Sequence, residues 1–117
     1  ARLPHAWVYD RETGAETSTL DLCGHGSFTL LTGLGGEAWV AAAEAVAANL
    51  GIRLVSHIIG PRRPFVDHHG DWARVREVKD SGCVLVRPDH HVAWRAEVVS
   101  ADAKADLDRV LRAILAR

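Results

Sequence analysis

Hydrophobic and polar positions change period several times along the chain, and each change marks an element. Residues 5–9 (HAWVY) and 16–22 flank the polar run Asp10-Arg11-Glu12-Thr13-Gly14, a pattern that predicts a hairpin whose turn uses the positive φ open to Gly14. In Thr19-Leu20-Asp21-Leu22 the alternation puts both leucines on one strand face, turned to the core. After the break Cys23-Gly24-His25-Gly26, residues 28–32 (FTLLT) read as a third strand ending at Gly33-Leu34-Gly35-Gly36. From Glu37 the period becomes helical. Trp39, Ala43, Val46 and Leu50 recur on one face of an alanine-dense stretch, Glu37 suits the helix dipole, and Gly51 is placed to end the helix in the left-handed conformation. Residues 52–59, rich in β-branched side chains, predict the next strand, so strand, helix and strand form a βαβ unit.

Residues 61–71 carry no periodicity, and a short helix over 71–78 is expected, capped by Asp71, with Trp72 and Val75 on one face. Residues 82–96 (GCVLVRPDHHVAWRA) are the centre of the pattern. Cys83 and Leu85 point to one side of a strand and Val84 and Val86 to the other, as expected for a sheet covered on both faces. Arg87-Pro88-Asp89-His90 supplies the turn. In the returning strand Val92 and Trp94 are expected to face one way and Ala93 and Arg95 the other, with the Arg95 head in solvent. The last segment is amphipathic, with Leu107, Val110, Leu111, Ile114 and Leu115 in one stripe, Ser100 as its cap, and acids and bases at the ends the dipole favours. From Phe28 onward the order β-α-β-(α)-β-β-α is that of the thioredoxin fold, an α/β mixed sheet flanked by helices, here with an extra N-terminal hairpin.

Length fits a single domain over residues 1–117 with one core. A formal net charge of -1 gives no basic footprint for nucleic acid or an anionic membrane, and no run is apolar enough to span a bilayer. A cytoplasmic location, with Cys23 and Cys83 as reduced thiols, is the expectation. The chain contains no methionine and does not resemble a signal peptide at its start, which suggests a piece of a longer protein.

Three chemistries follow from that order. A thioredoxin-like redox site would sit between the Phe28 strand and the Trp39 helix, but the CxxC pair is absent there and Gly82 stands where thioredoxins carry a shaping proline. The same loop, Gly33-Leu34-Gly35-Gly36-Glu37-Ala38, satisfies G-x-G-x-x-A between strand and helix, with Arg62 and Arg63 positioned for a 2′-phosphate, so a free-standing nucleotide-binding module is the alternative reading. Against it, one βαβ unit followed by an antiparallel hairpin leaves no room for a complete dinucleotide-binding sheet. Of the histidines, the adjacent pairs His68-His69 and His90-His91 and the lone His25 match no zinc spacing, and no nucleophile-base arrangement is legible.

The run VLVRPDHHVAWR, with Val84, Arg87, Pro88, Asp89, Trp94 and Arg95, resembles the C-terminal domain of FAD-dependent aromatic hydroxylases of the phenol monooxygenase type. So do STLDLCGHGSFTLLTG, with Leu20, Asp21 and Gly33, and the opening RLPHAWV. The resemblance covers essentially the whole chain. It implies a thioredoxin-like appendage without redox cysteines, no cofactor bound by this domain, and no catalytic or metal-ligating residue in it. FAD and NAD(P)H are implied for the parent enzyme, with the upstream FAD-binding and substrate domains of the same polypeptide as partners and a homodimer contact as a further role. It also implies an exposed apolar patch where those domains pack, and strain at Asp89-His90, where glycine is common in the family.

Overall fold

The computed structural model describes residues 1–117 and places eleven elements in chain order. These are β1 (Trp7–Asp10), β2 (Ala15–Ser18), α1 (Thr19–Leu22), β3 (Phe28–Thr32), α2 (Glu37–Leu50), β4 (Leu54–Ile58), β5 (Phe65–Val66), α3 (Asp71–Val75), β6 (Cys83–Val86), β7 (Val92–Ala96) and α4 (Ala103–Leu115). The main sheet has the order β4-β3-β6-β7, with β3 and β4 parallel and the other pairs antiparallel. This is the thioredoxin-like arrangement expected from the element order. A smaller antiparallel sheet, β2-β1-β5, carries the N-terminal hairpin.

The main sheet is covered on both faces, and the alternation along β6 divides the core. Cys83 and Leu85 join Leu30 under α2 and α4, where Trp39, Ala43, Val46, Leu107 and Leu111 are buried. Val84 and Val86 join Leu31 on the other face, beneath Leu3, Val8, Cys23 and Trp72. The two cysteines therefore lie on opposite sides of the sheet, both as free thiols. Gly51 ends α2 at φ 67°, as its position suggested, and Gly14 adopts φ 73° in the first hairpin.

Five local expectations are corrected. Residues 19–22 form one helical turn rather than the end of a strand. The Ser18 hydroxyl accepts from the Leu20 amide at 3.1 Å, while the Thr19 hydroxyl accepts from the Ala6 amide and donates to the Pro4 carbonyl. These hydroxyls satisfy backbone groups that a strand would have paired elsewhere. Leu20 and Leu22 still pack on the second core. Helix α3 is capped not by Asp71, which pairs with Arg74, but by Asp67, whose carboxylate accepts from the Trp72 and Ala73 amides at 3.1 and 2.9 Å. Asp102, not Ser100, caps α4 through the Ala105 amide at 3.0 Å, and the Ser100 hydroxyl is buried without a partner.

The returning strand contains a bulge. Leu85 faces Trp94 and Val86 faces Val92, so Ala93 is the extra residue, and Val92 and Trp94 end on opposite faces instead of sharing one. Arg95 is not in solvent either. Its Nε donates to the Arg76 carbonyl at 3.1 Å and its head lies 3.4 Å from Glu77. The outer edge of β7 is closed by the first residues of the chain, because the Val92 amide donates to the Ala1 carbonyl at 2.8 Å and the Leu3 amide to the His90 carbonyl at 2.7 Å.

Candidate functional site

The loop where the fold would carry chemistry lies between β3 and α2, facing the turn that leads into β6. A Cβ on Gly33 would stand 2.6 Å from the Asp80 carbonyl oxygen, and one on Gly36 would run into the Thr32 side chain. Gly35 takes φ 83° to make the turn, with the Ser81 Cβ packed 3.4 Å from where its own would be. The facing turn is held by side chains of β3 and α2. The Thr32 hydroxyl donates to the Gly82 carbonyl at 2.6 Å, and the Trp39 indole N–H donates to the Ser81 carbonyl at 3.0 Å. The glycines thus admit the close approach of the chain's own backbone, which is a different use from cradling a pyrophosphate.

Of the two arginines considered for a phosphate, Arg63 reaches the loop, where it meets an acid. Arg62 is exposed with φ 61°, and Arg63 is paired at 2.6 Å with Glu37, so the first turn of α2 already holds an acid and its counter-ion. No thiol is present in the loop. Burial pushes Cys23 up to about 11 and Cys83 up to about 12, against weaker hydrogen bonds from Thr29 and Ala96, so neither is a nucleophile near neutral pH.

Beside the loop, a cavity of about 350 Å³ opens at the C-terminal ends of β3 and β4, lined by Leu34, Ile59, Val66, Trp72, Arg76 and Asp80 among others. Its charges are engaged in part, since the Nε of Arg76 is buried without a partner. Arg76 pairs with Asp80 at 2.8 Å, and the Asp67 carboxylate caps α3. No group of three His, Cys, Asp or Glu side chains is placed to hold a metal ion.

His57 on β4 is half-buried, and its surroundings shift its titration. Its ring stands edge-on to Phe65 at 5.1 Å, and burial holds its pKa below the ordinary histidine value, against a hydrogen bond with the Leu22 backbone that acts the other way. Protonation of His57 is therefore easier in the unfolded chain. Stability is expected to be full above the ordinary histidine range and to fall as pH drops from about 6.5 toward the lowered folded value, then to level off. A His57→Gln variant should flatten that part of a urea-midpoint against pH curve; an unchanged slope would assign the effect elsewhere.

The remaining residues of the family-like run serve the hairpin. Val84 is buried, Arg87 and Asp89 form an ion pair across Pro88, and Trp94 meets Trp39 edge-on at 5.7 Å. His90 occupies the left-handed region at φ 68°, and its Nε2 lies 2.9 Å from the Leu20 carbonyl, packed so closely on Gly24 that a Cβ there would meet the ring. That contact ties Leu20 to the hairpin turn, while the Asp21 side chain stays exposed.

Comparison with known proteins decides what such a domain belongs to. The family described as "Aromatic-ring hydroxylase, C-terminal" matches residues 1–117. The chain belongs to this family of aromatic-ring hydroxylase C-terminal domains. The hydroxylase C-terminal domain is 52% identical over 117 residues to 2,4-dichlorophenol 6-monooxygenase of Cupriavidus pinatubonensis, covering 100% of this chain and 20% of the relative. It is 46% identical over 110 residues to phenol 2-monooxygenase of a Pseudomonas species, covering 94% of this chain and 18% of that protein. Among solved structures it is similar to the flavin-dependent monooxygenase PieE in complex with FAD and substrate, with a TM-score of 0.90, 47% identity, and coverage of 99% of this chain and 19% of that one. The domain thus spans about a fifth of the length of these relatives. A copper-bound ScoI from Arabidopsis thaliana shares the fold alone, at a TM-score of 0.68 and 13% identity. No helix of the domain is long and apolar enough to cross a membrane.

Asp67 fits a turn or cap residue by type, but its place as the cap of α3 and the contact of Gly82 with residues 96 and 97 were not predicted from the sequence. Asp67 stands four residues ahead of α3, outside the usual cap spacing, and the Gly82 contact joins segments that no local pattern relates.

Proposed function

We propose that this chain is the non-catalytic C-terminal structural domain of a cytoplasmic, FAD-dependent aromatic monooxygenase of the phenol type that uses NAD(P)H. In that role it packs on the FAD-binding and substrate domains of the same polypeptide and contributes to a homodimer contact. One observation carries the reading. The loop in which a thioredoxin-like fold would keep its reactive thiols is filled by the chain's own backbone, with Gly33 and Gly36 pressed on Asp80 and Thr32 and no free base or nucleophile beside them. Family membership and the one-fifth coverage of flavin-dependent relatives support the assignment of the chemistry to the rest of the polypeptide. FAD would supply the oxygen-activating chemistry there, and no residue of this domain is assigned a step in it.

The test is on the full reading frame. With whatever precedes Ala1 joined to this domain, the product is expected to be yellow and to oxidise NADPH when a phenol is added. A colourless product, or the absence of such a preceding region, would overturn the assignment. The nucleotide-module alternative is tested on the chain itself: saturable NADPH binding abolished by Gly35→Asp would support it, and a flat titration removes it.

A further inference from the structure

The small sheet β2-β1-β5 has one face on the core and one turned outward. Along β1, Val8 is buried, so Trp7 and Tyr9 project to the other side, and Val66 of β5, which pairs with Tyr9, shares that side. Outward positions of a half-covered antiparallel sheet are ordinarily polar. Here Trp7, Tyr9 and Val66 stand among them, beside Ser18 and Glu16 of β2, and Trp7 is 45% exposed. Two more rings extend the patch. His5 stands edge-on to Trp7 at 4.8 Å and His68 lies 4.8 Å from Tyr9. The carboxylate on this face, Glu16, is paired with His69. Aromatic side chains with few free charges characterise the centres of protein interfaces rather than free surface. The other exposed large apolar residues, Leu34, Val55, Val98 and Ile114, stand on four different segments and form no comparable belt.

We infer that this outward face seats the flavin-binding portion of the same polypeptide. The inference rests on the function proposed above and adds to it the surface and its chemistry. Two observations select this occupant over a second copy of the chain. The relatives carry most of their length outside the matched fifth, and the family is a C-terminal one, so such a partner is covalently joined and present at high effective concentration. The residues between that junction and β1 are also fixed. Ala1 and Leu3 are hydrogen-bonded to Val92 and His90, and Leu3 and Ala6 are buried, which leaves Trp7 within six residues, at most about 20 Å, of the anchored start. The partner surface must be apolar opposite Trp7 and Tyr9. At its rim it must offer a polar group to the Nε2 of His5, because the Nδ1 of that ring is already engaged by the Ser18 hydroxyl at 2.7 Å.

The experiment uses the full-length enzyme, with hydroxyl-radical footprinting of Trp7 and Tyr9 and diethylpyrocarbonate modification of His5 and His68. Exposed His25, on the loop before β3, is the internal control. Runs are made above and below the dimer midpoint set by sedimentation. The expected result is modification of His5, His68 and Tyr9 several-fold slower than in a Trp7→Glu enzyme, with His25 unchanged and the protection equal at both concentrations. Modification of His68 as fast as that of His25 would overturn the inference, and so would protection that disappears on dilution to the monomer, which would assign the face to a second copy. A yellow enzyme with an unprotected face overturns this inference alone; a full-length product without flavin overturns the proposed function with it.

Discussion

Gly82→Ala is expected to destabilise the chain by about 3 to 5 kcal/mol, toward the exceptional end for a single substitution. An added Cβ would collide with the carbonyl oxygens of Ala96 and Glu97 and lie 2.7 Å from the Glu97 carbonyl carbon. All three atoms are backbone, and the segment carrying them is tied down. The Lys79 amide donates to the Glu97 carbonyl at 2.9 Å and the Val99 amide to the Ser81 hydroxyl at 3.1 Å. No flexible side chain is available to yield, so relief requires parting the end of β6 from that of β7. Gly51→Ala is the matching control. It also changes one hydrogen to a methyl, but at φ 67° with nothing within 4 Å, so only the left-handed strain of about 1 to 2 kcal/mol is expected. Urea midpoints at unchanged slope measure both. Equal losses for the two variants would show that the close approach at Gly82 is soft.

Trp39→Ala is the second large effect, at about 3 to 5 kcal/mol. The ring is fully buried between α2 and the sheet, meets Trp94 edge-on, and gives its N–H to the Ser81 carbonyl. Truncation opens a cavity under both helices and leaves that carbonyl without its donor. Trp39→Phe keeps most of the packing and loses the hydrogen bond, for which about 1 to 3 kcal/mol is expected. The two variants together separate packing from the polar contact. If Trp39→Phe were neutral in a urea titration, the indole N–H would have no part in holding the turn before β6.

Elements that one face of a regular period defines were legible in the sequence. The apolar face of α2, the stripe on α4 and the two-sided burial of β6 follow from side-chain spacing alone, and with them the strand order of the main sheet. What the sequence hid is settled by contacts between distant segments. Ser18 and Thr19 turn a strand-like alternation into a helical turn because their hydroxyls meet Leu20, Ala6 and Pro4. One extra residue at Ala93 reverses the face of Val92 relative to Trp94, and nothing in the alternation announces it. The glycine loop illustrates the same limit at the candidate site. Its spacing matches a phosphate-binding turn, yet Gly33 is required by Asp80, a residue far away in the chain. Arg63 looked free for a phosphate and is instead matched to Glu37.

The division of the core by the main sheet gives the molecule a pair of silent reporters. Cys23 is sealed beneath the N-terminal layer and Cys83 beneath α2 and α4, and neither is reached without displacing its own cover. A thiol reagent therefore keeps two separate clocks, one for each side of the sheet. Whether the clocks run together or apart distinguishes a domain that opens as a unit from one that sheds its outer layer while the thioredoxin-like half stays closed.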